Sequence, residues 1–427
     1  MKIVSNTGTY MIKELCIKAK EASGKLALLS TEKKKAALVS MADLLLEHGD
    51  EIIAANEVDV QEARKAGLSD SMLDRLALNE TRIAGIVADL RAVANLPDPV
   101  GETCEEKETA DGLHVFKQRV PLGVLAVIYE ARPNVTVDIT GLALKSGNAV
   151  ILRGGSETLN TNRALIRIIR QAMHEAGLPE NGVQFIDSPD RALIGELLKM
   201  YDYVDMLIPR GGAALHKFCR ENSMIPVITG GIGICHLYVD QTADLAASVK
   251  VIQNAKVQRP SVCNALDTVL LHRAIAANVL PMIVNTLSED GVIFHLDEKA
   301  IAFYGGETET VQQASPGDFD KEWLSLNLGI KIVADLDEAM EHIRIHGTAH
   351  SDGILTENQE HAQRFMNEVD SACVYVNSST RFTDGSKLGL GAEVAISTQK
   401  LHARGPMALY ELTTYKWVIQ GNYHVRQ

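Results

Sequence analysis

Apolar residues recur at helical spacing through the first hundred positions. Ala36, Leu38, Val39, Ala42, Leu45 and Leu46 follow a Ser30-Thr31-Glu32 start, and this predicts a helix. Gly49-Asp50 breaks and restarts the pattern, and Gly67 ends the next helix. Asn79 to Leu96 predicts one more helix, stopped by Pro97 and Pro99. The run from Gly101 to Asp111 is polar and acidic, which predicts a loop. Leu113 to Val120 mixes apolar and charged residues and predicts an exposed strand or hairpin arm.

From Leu122 the pattern changes to alternating strand and helix. Val124-Leu125-Ala126-Val127-Ile128 predicts a buried strand, Val135 to Lys145 a helix and Ala149 to Leu152 a strand. Thr161 to Ala176 predicts a helix closed by Gly177-Leu178-Pro179. Val183 to Ile186, Val204 to Ile208 and Val227-Ile228 predict further strands. A second run of the same kind extends from His236 to about Val376, and Leu409 to Val425 predicts a terminal strand. The fold class is therefore α/β, with parallel sheets covered on both faces. Ligands bind such sheets at the carboxyl ends of the strands. Arg153-Gly154-Gly155 and Pro209-Arg210-Gly211-Gly212 both fall there, each directly after a strand.

Composition narrows the class. The chain has 427 residues, 46% hydrophobic and 23% charged, an ordinary globular balance with room for two or three domains. A net charge of -13 argues against nucleic-acid binding, which needs a basic surface. An anionic small molecule would need its arginines gathered in one site. Met1-Lys2-Ile3-Val4 leads into polar residues, so no signal peptide is expected, and no apolar run is long enough to cross a bilayer. The six cysteines, Cys16, Cys104, Cys219, Cys235, Cys263 and Cys373, form no C-x-x-C pair and are expected to be free thiols in a reducing cytoplasm.

Cys263 has chemically suggestive surroundings. It follows Gln258-Arg259-Pro260-Ser261-Val262, where a helix ends, and precedes a strand. A thiol at such a junction can face a cleft, and Arg259 would favour its thiolate. The alternative is a small buried hydrophobe. Asn134, in Glu130-Ala131-Arg132-Pro133-Asn134, is either an oxyanion donor or a helix N-cap. Arg153 with Gly154 and Gly155 could hold a phosphate, although the motif is not a dinucleotide fingerprint. Gly230-Gly231-Ile232-Gly233 reads equally as a ligand loop or a tight turn. His342, His346 and His350 do not complete a ligand set, and no metal is expected. The glycine-rich stretch from Asn377 to Pro406 is either a long structural loop or backbone held close to a ligand.

Several of these segments together resemble the aldehyde dehydrogenase superfamily, and more narrowly the family that reduces L-glutamyl 5-phosphate in proline biosynthesis. The matching pieces are Tyr129 to Thr136, Leu144 to Gly155, Ile208 to Gly212, Gln258 to Cys263, His342 to Asp352 and Ser397 to Pro406. The resemblance spans essentially the whole chain. It implies a cofactor-binding domain (1–110 and 121–232), a catalytic domain (233–400) and a small β oligomerisation arm (111–120 and 401–427). It implies NADPH as cofactor, with Arg153 near the adenosine ribose and its 2′-phosphate, Pro209-Arg210-Gly211-Gly212 near the pyrophosphate and Glu322 near the nicotinamide ribose. The implied reaction starts with Cys263 attacking the acyl phosphate, with Asn134 and the Cys263 amide as oxyanion donors. Phosphate leaves, and the thioester is reduced to L-glutamate 5-semialdehyde. Arg132, Arg259, Arg381 and Glu130 are the candidates for holding the substrate. A cytoplasmic homo-oligomer is implied, with the upstream glutamate kinase as a candidate partner.

Hydrolytic relatives carry a glutamate that activates water where this chain has Ile228, and Val227 and Thr229 supply no carboxylate either. That weighs against the rival reading, an oxidising aldehyde dehydrogenase of the same fold. An acyl-CoA reductase and a non-catalytic scaffold are the other rivals. The specific motifs oppose the first, and the joint presence of Cys263, Asn134 and Arg153 opposes the second.

Overall fold

The computed structural model describes residues 6–426 except Gly231, so Met1 to Val4, where no signal peptide is expected, and one residue of the Gly230–Gly233 loop lie outside the described residues. The chain divides into two compact units. The first holds residues 1–229, 389–395 and 407–427, and the second holds residues 230–388 and 396–406. The long stretch of the first unit ends at Thr229, and residues 401–406 lie in the second unit.

The first unit opens with five helices: α1 (Asn6–Leu26), α2 (Thr31–Glu47), α3 (Gly49–Lys65), α4 (Asp70–Leu76) and α5 (Glu80–Asn95). Ser30 and Asn79 cap α2 and α5 by accepting from the amides of Lys33 and Arg82. The predicted starts therefore have a local cause. Strands β1 (Thr103–Glu108) and β2 (His114–Pro121) come next, then β3 (Val124–Tyr129), α6 (Asn134–Lys145), β4 (Ala149–Arg153) and α7 (Leu159–Glu175). They are followed by β5 (Val183–Phe185), α8 (Ala192–Leu197), β6 (Met206–Arg210) and α9 (Ala213–Asn222). β5, β4, β3 and β6 form a parallel sheet in that order. Every residue of β3 and β4 is buried, as continuous apolar runs require when helices cover both faces. Asp59 ties α3 to the start of α7, accepting from the amides of Asn160 and Thr161 at 3.1 and 2.7 Å.

Two expectations need correction here. The acidic stretch read as a loop contains β1, an exposed strand of sequence Thr-Cys-Glu-Glu-Lys-Glu. β1 has no buried face, so no hydrophobic period marks it. It is held by its antiparallel ladder to β2. Val227-Ile228, read as a strand, makes a single parallel bridge from Val227 to Leu207. β2 also pairs with a C-terminal strand, Thr413–Gln420, which completes a three-stranded antiparallel sheet. Tyr415, Trp417 and Ile419 on that strand are exposed.

The second unit holds a seven-stranded parallel sheet. Its strands are β7 (Cys235–Val239), β8 (Leu266–His272), β9 (Ile293–Leu296), β10 (Val311–Gln313), β11 (Asn327–Val333), β12 (Ser351–Leu355) and β13 (Cys373–Val376). The order is β10-β9-β11-β8-β7-β12-β13. The helices are α10 (Leu245–Val257), α11 (Ala276–Ser288), α12 (Glu298–Tyr304), α13 (Leu336–His346) and α14 (Gln359–Glu368). Side chains alternate between two cores. Leu237, Val239, Val269 and Leu271 pack on one face with residues of α10 and α11. Tyr238 and Leu270 pack on the other with Leu336, Ile343 and Phe365.

No helix among the described residues is long and apolar enough to cross a membrane. All six cysteines are free.

Candidate active site

In the first unit the predicted residues meet at one edge of the parallel sheet. Register pairs Ile128 with both Arg153 and Pro209, and Tyr129 with Arg210, so β3, β4 and β6 end together at their carboxyl side. Arg153 is 5% exposed. Its Nη1 donates to the Gly154 carbonyl at 2.8 Å and its Nη2 to the Pro189 carbonyl at 3.3 Å, while Nε has no partner. Burial holds its pKa below the usual guanidinium range, opposed by Glu157. A Cβ at Gly154 would lie 2.2 Å from Asn162 Nδ2, and one at Gly155 would lie 2.1 Å from Glu157 Oε1. At Gly154 the obstacles also include buried Thr158 and Tyr129, so packing inside the unit calls for glycine there; at Gly155 the obstacle is only the flexible end of Glu157.

Glu130 directs its carboxylate at the turn before α9. Its Oε2 accepts from the Gly212 amide at 3.2 Å, and a Cβ at Gly211 would meet that same oxygen at 2.4 Å. Arg132 is half-buried on the turn between β3 and α6, which also carries Ala131 at φ +38°. Asn134 is the first residue of α6, and Pro133, not Asn134, takes the N-cap position. The Asn134 amide donates through Nδ2 to Asp138 Oδ2 at 2.8 Å. Asp138 still meets solvent on part of its surface, yet burial pushes its carboxyl up to about 7.

In the second unit the candidate nucleophile sits at the opposite kind of edge. Cys263 lies in the turn between α10 and β8, at the amino side of the parallel sheet. It is half-buried. Its carbonyl accepts from Cys235 Sγ at 3.2 Å. Gly233, just before β7, passes so close that a Cβ there would lie 1.7 Å from the Cys263 carbonyl oxygen. The Gly233 amide in turn donates to Glu322 Oε1 at 3.0 Å, and burial raises the Glu322 carboxyl above its usual range. Gly233 is therefore a close-approach residue for the cysteine turn, whereas a Cβ at Gly230 would lie 2.0 Å from the Ile396 carbonyl oxygen.

The next residue, Asn264, is buried. Its Nδ2 donates to the Thr383 carbonyl at 2.8 Å, and its own carbonyl accepts from Thr380 Oγ1 at 2.7 Å. This ties the cysteine turn to the loop that carries Arg381. Arg381 Nε donates to Gln258 Oε1 at 2.8 Å, and its charge interacts with Arg259, Asp384 and Cys263. Burial and the like charge of Arg259 lower its pKa. Arg259 itself is exposed.

The buried thiols and Cys373 are poor nucleophiles by position. Burial pushes Cys16 up to about 12 and Cys219 up to about 11, and it raises Cys373 as well. Burial, with Asp267 and Asp352 nearby, raises Cys235 well above the usual thiol range. Cys235 thus stays protonated, as a donor to the Cys263 carbonyl must be. Cys104 is exposed on β1. His342 and His346 lie 4.3 Å apart between centroids with their rings tilted by 35°, whereas His350 faces Ser351 Oγ at 2.9 Å. Among the described residues no three His, Cys, Asp or Glu are grouped so as to hold a metal ion.

Sequence reasoning missed Asp138, Cys235 and Asn264. A lone carboxylate in the apolar run Val135 to Leu144 was the available signal for the first. Nothing in the pattern distinguished the other two.

Known proteins resemble this chain in sequence and fold. Residues 2–300 match the model of the aldehyde dehydrogenase family. The chain belongs to the aldehyde dehydrogenase family and, within it, to the gamma-glutamyl phosphate reductases. It is 56% identical over 416 residues to gamma-glutamyl phosphate reductase of Cronobacter sakazakii, covering 97% of this chain and 100% of that one. The crystal structure of gamma-glutamyl phosphate reductase from Thermotoga maritima superposes with a TM-score of 0.94 at 46% identity, over 97% of this chain and 100% of that one. An acetylating aldehyde dehydrogenase from Geobacillus thermoglucosidasius shares the fold, with a TM-score of 0.71 at 17% identity over 100% of both chains.

Proposed function

We propose that the chain reduces L-glutamyl 5-phosphate to L-glutamate 5-semialdehyde with NADPH, releasing phosphate through a thioester on Cys263, as a step of proline biosynthesis. The observation that carries this reading is the Cys263 turn. Its thiol is half-exposed, its backbone is held by Gly233 and Cys235, and the Arg381 charge lies nearby. Such a setting favours the thiolate and fixes its direction of attack.

Cys263 Sγ bonds to the γ-carbonyl carbon, and the carbonyl oxygen takes the negative charge. Asn134 Nδ2 and the Cys263 amide stabilise that oxyanion. The C–O bond to phosphate then breaks and leaves the thioester. A bound NADPH would supply the hydride chemistry needed at the acyl carbon. The Cys263 thiolate departs as the aldehyde forms. No carboxylate stands at Val227, Ile228 or Thr229, so this segment offers the thioester no general base for water.

The residues fit an anionic dinucleotide. Arg153 keeps an unpartnered Nε at the end of β4, and Arg191 adds a second positive charge near it. The turn Pro209-Arg210-Gly211-Gly212 leads into the amino end of α9. These residues would hold the adenosine phosphate and the pyrophosphate, and Glu322 would hold the nicotinamide ribose. Arg132, Arg259 and Arg381 would take the substrate carboxylate and phosphate, and Glu130 its amino group. The open ladder edges of β1 and the C-terminal strand suit pairing with another copy of the chain, in a cytoplasmic homo-oligomer.

The test runs the reaction in reverse. Glutamate semialdehyde, NADP⁺ and inorganic phosphate are supplied, and NADPH is followed, with Cys263→Ala as control. Phosphate-dependent NADPH formation that the variant lacks is the expected result. Equal formation without phosphate would mean that water resolves the thioester, and the chain would be an oxidising dehydrogenase.

A further inference from the structure

α6 begins Asn134-Val135-Thr136-Val137-Asp138-Ile139-Thr140, and Asp138 is the one carboxylate in it. Val135, Thr136, Val137, Ile139 and Thr140 are all buried. A carboxylate among such neighbours is costly to desolvate and is expected to serve a purpose. Three other charges face it from separate elements. Asp89 on α5 and Glu393 oppose its ionisation, and Arg210 at the end of β6 favours it. Arg210 does not close on it as an ion pair, and what touches it is the amide of Asn134, at 2.8 Å.

The contact fixes something that packing alone leaves open. A side-chain amide has an oxygen that only accepts and a nitrogen that donates twice, and the two ends are nearly equal in size. The Asp138 oxygen that faces Asn134 is an acceptor in this bond, so it selects the nitrogen end of the amide over the oxygen end. One helical turn separates residues 134 and 138, so the two side chains lie on the same face. We propose that Asp138 is a positioning residue for Asn134: it engages one Nδ2–H, sets the orientation of the amide, and leaves the second Nδ2–H for the oxyanion of the acyl transfer. This rests on the reading of Asn134 as oxyanion donor given above.

A double-mutant cycle tests it in the phosphate-dependent reverse assay, with thermal melts to establish folding. Asn134→Ala is expected to lower kcat by about 10²–10³-fold. Asp138→Ala is expected to lower kcat by roughly tenfold with KM for the semialdehyde changed less than about twofold. Asp138→Asn keeps an acceptor oxygen and should recover most of that loss. The double variant Asn134→Ala/Asp138→Ala should be no slower than Asn134→Ala, because no amide remains to be positioned.

Penalties that multiply in the double variant, or an Asp138→Ala enzyme with unchanged kcat, would overturn the positioning role while leaving Asn134 as donor. So would an Asp138→Asn enzyme as slow as Asp138→Ala. If Asn134→Ala itself leaves kcat unchanged, the donor reading fails and the positioning role with it.

Discussion

Asn264 donates through Nδ2 to the carbonyl of Thr383 at 2.8 Å, a bond between residues 119 positions apart. The consequence is mechanical. Asn264 follows Cys263 directly, and Thr383 lies two residues beyond Arg381. Thr380 returns a bond from its hydroxyl to the Asn264 carbonyl. The turn that presents the thiol and the loop that presents a guanidinium are therefore one hydrogen-bonded body. Asn264 is 4% exposed, so these bonds are made without competition from water.

Asn264→Ala should loosen that body. It strips the buried Thr383 carbonyl of a donor, a change that costs about 1–3 kcal/mol of stability. The rate of Cys263 alkylation by iodoacetamide and the KM for the acyl substrate should both change, because thiol and arginine no longer move together. Wild-type values of all three in a folded variant would show that the bridge plays no part in the site.

A pH effect follows from Asp138. Burial raises its carboxyl from the ordinary 3.8 to about 7. The folded chain then holds this proton over a range where the unfolded chain has lost it. Its contribution to stability is full below pH 3.8 and declines as pH rises from there to about 7. Asp138→Asn removes the titrating group, so its melting temperature should gain on wild type between pH 5 and pH 8. Part of Asp138 still meets solvent, so the gain is put at about 1–3 kcal/mol. Parallel melting curves across that range would contradict the buried-carboxyl reading.

Much of this architecture is legible from sequence because it rests on local causes. Ser30 and Asn79 cap where the pattern starts, and β3 and β4 are buried runs of apolar residues. The parallel strands follow from the helices between them. What escapes is held by distant partners. β1 is polar on both faces and exists through its ladder to β2. Cys235 matters through the Cys263 carbonyl, 28 positions away. The rule that ligands gather at carboxyl ends finds the Arg153 edge. It does not find Cys263, which lies at the amino side of the second sheet, where turns after α10 and before β7 converge.

Arg153 separates two roles for one residue. Its guanidinium bridges the carbonyls of Gly154 and Pro189. Lysine cannot span both in a planar fork. Arg153→Lys should therefore lose about 1–2 kcal/mol of stability from the broken bridge. If Arg153 also meets the 2′-phosphate of the cofactor, Kd for NADPH should rise by roughly tenfold while Kd for NADH moves far less. An unchanged ratio of the two constants, with only the melting temperature lowered, would leave Arg153 as a strut between β4 and the Pro189 loop.

Gly233 provides the sharpest steric test. Its absent side chain is what lets the segment before β7 pass the Cys263 carbonyl, since a Cβ would sit 1.7 Å from that oxygen and 3.2 Å from the Cys263 Cα. Both obstacles are backbone, so no rotamer change relieves them. Gly233→Ala must push the cysteine turn aside or break the Gly233 bond to Glu322. A displacement of that order at a nucleophile costs about 10²-fold or more in kcat. Gly195, inside α8 with open space where a Cβ would go, is the matched control. Gly195→Ala should keep full activity and gain up to about 1 kcal/mol of stability from helix propensity. If both variants behave alike, the close approach of Gly233 to Cys263 does not set the position of the thiol, and the turn is held by Cys235 and Asn264 alone.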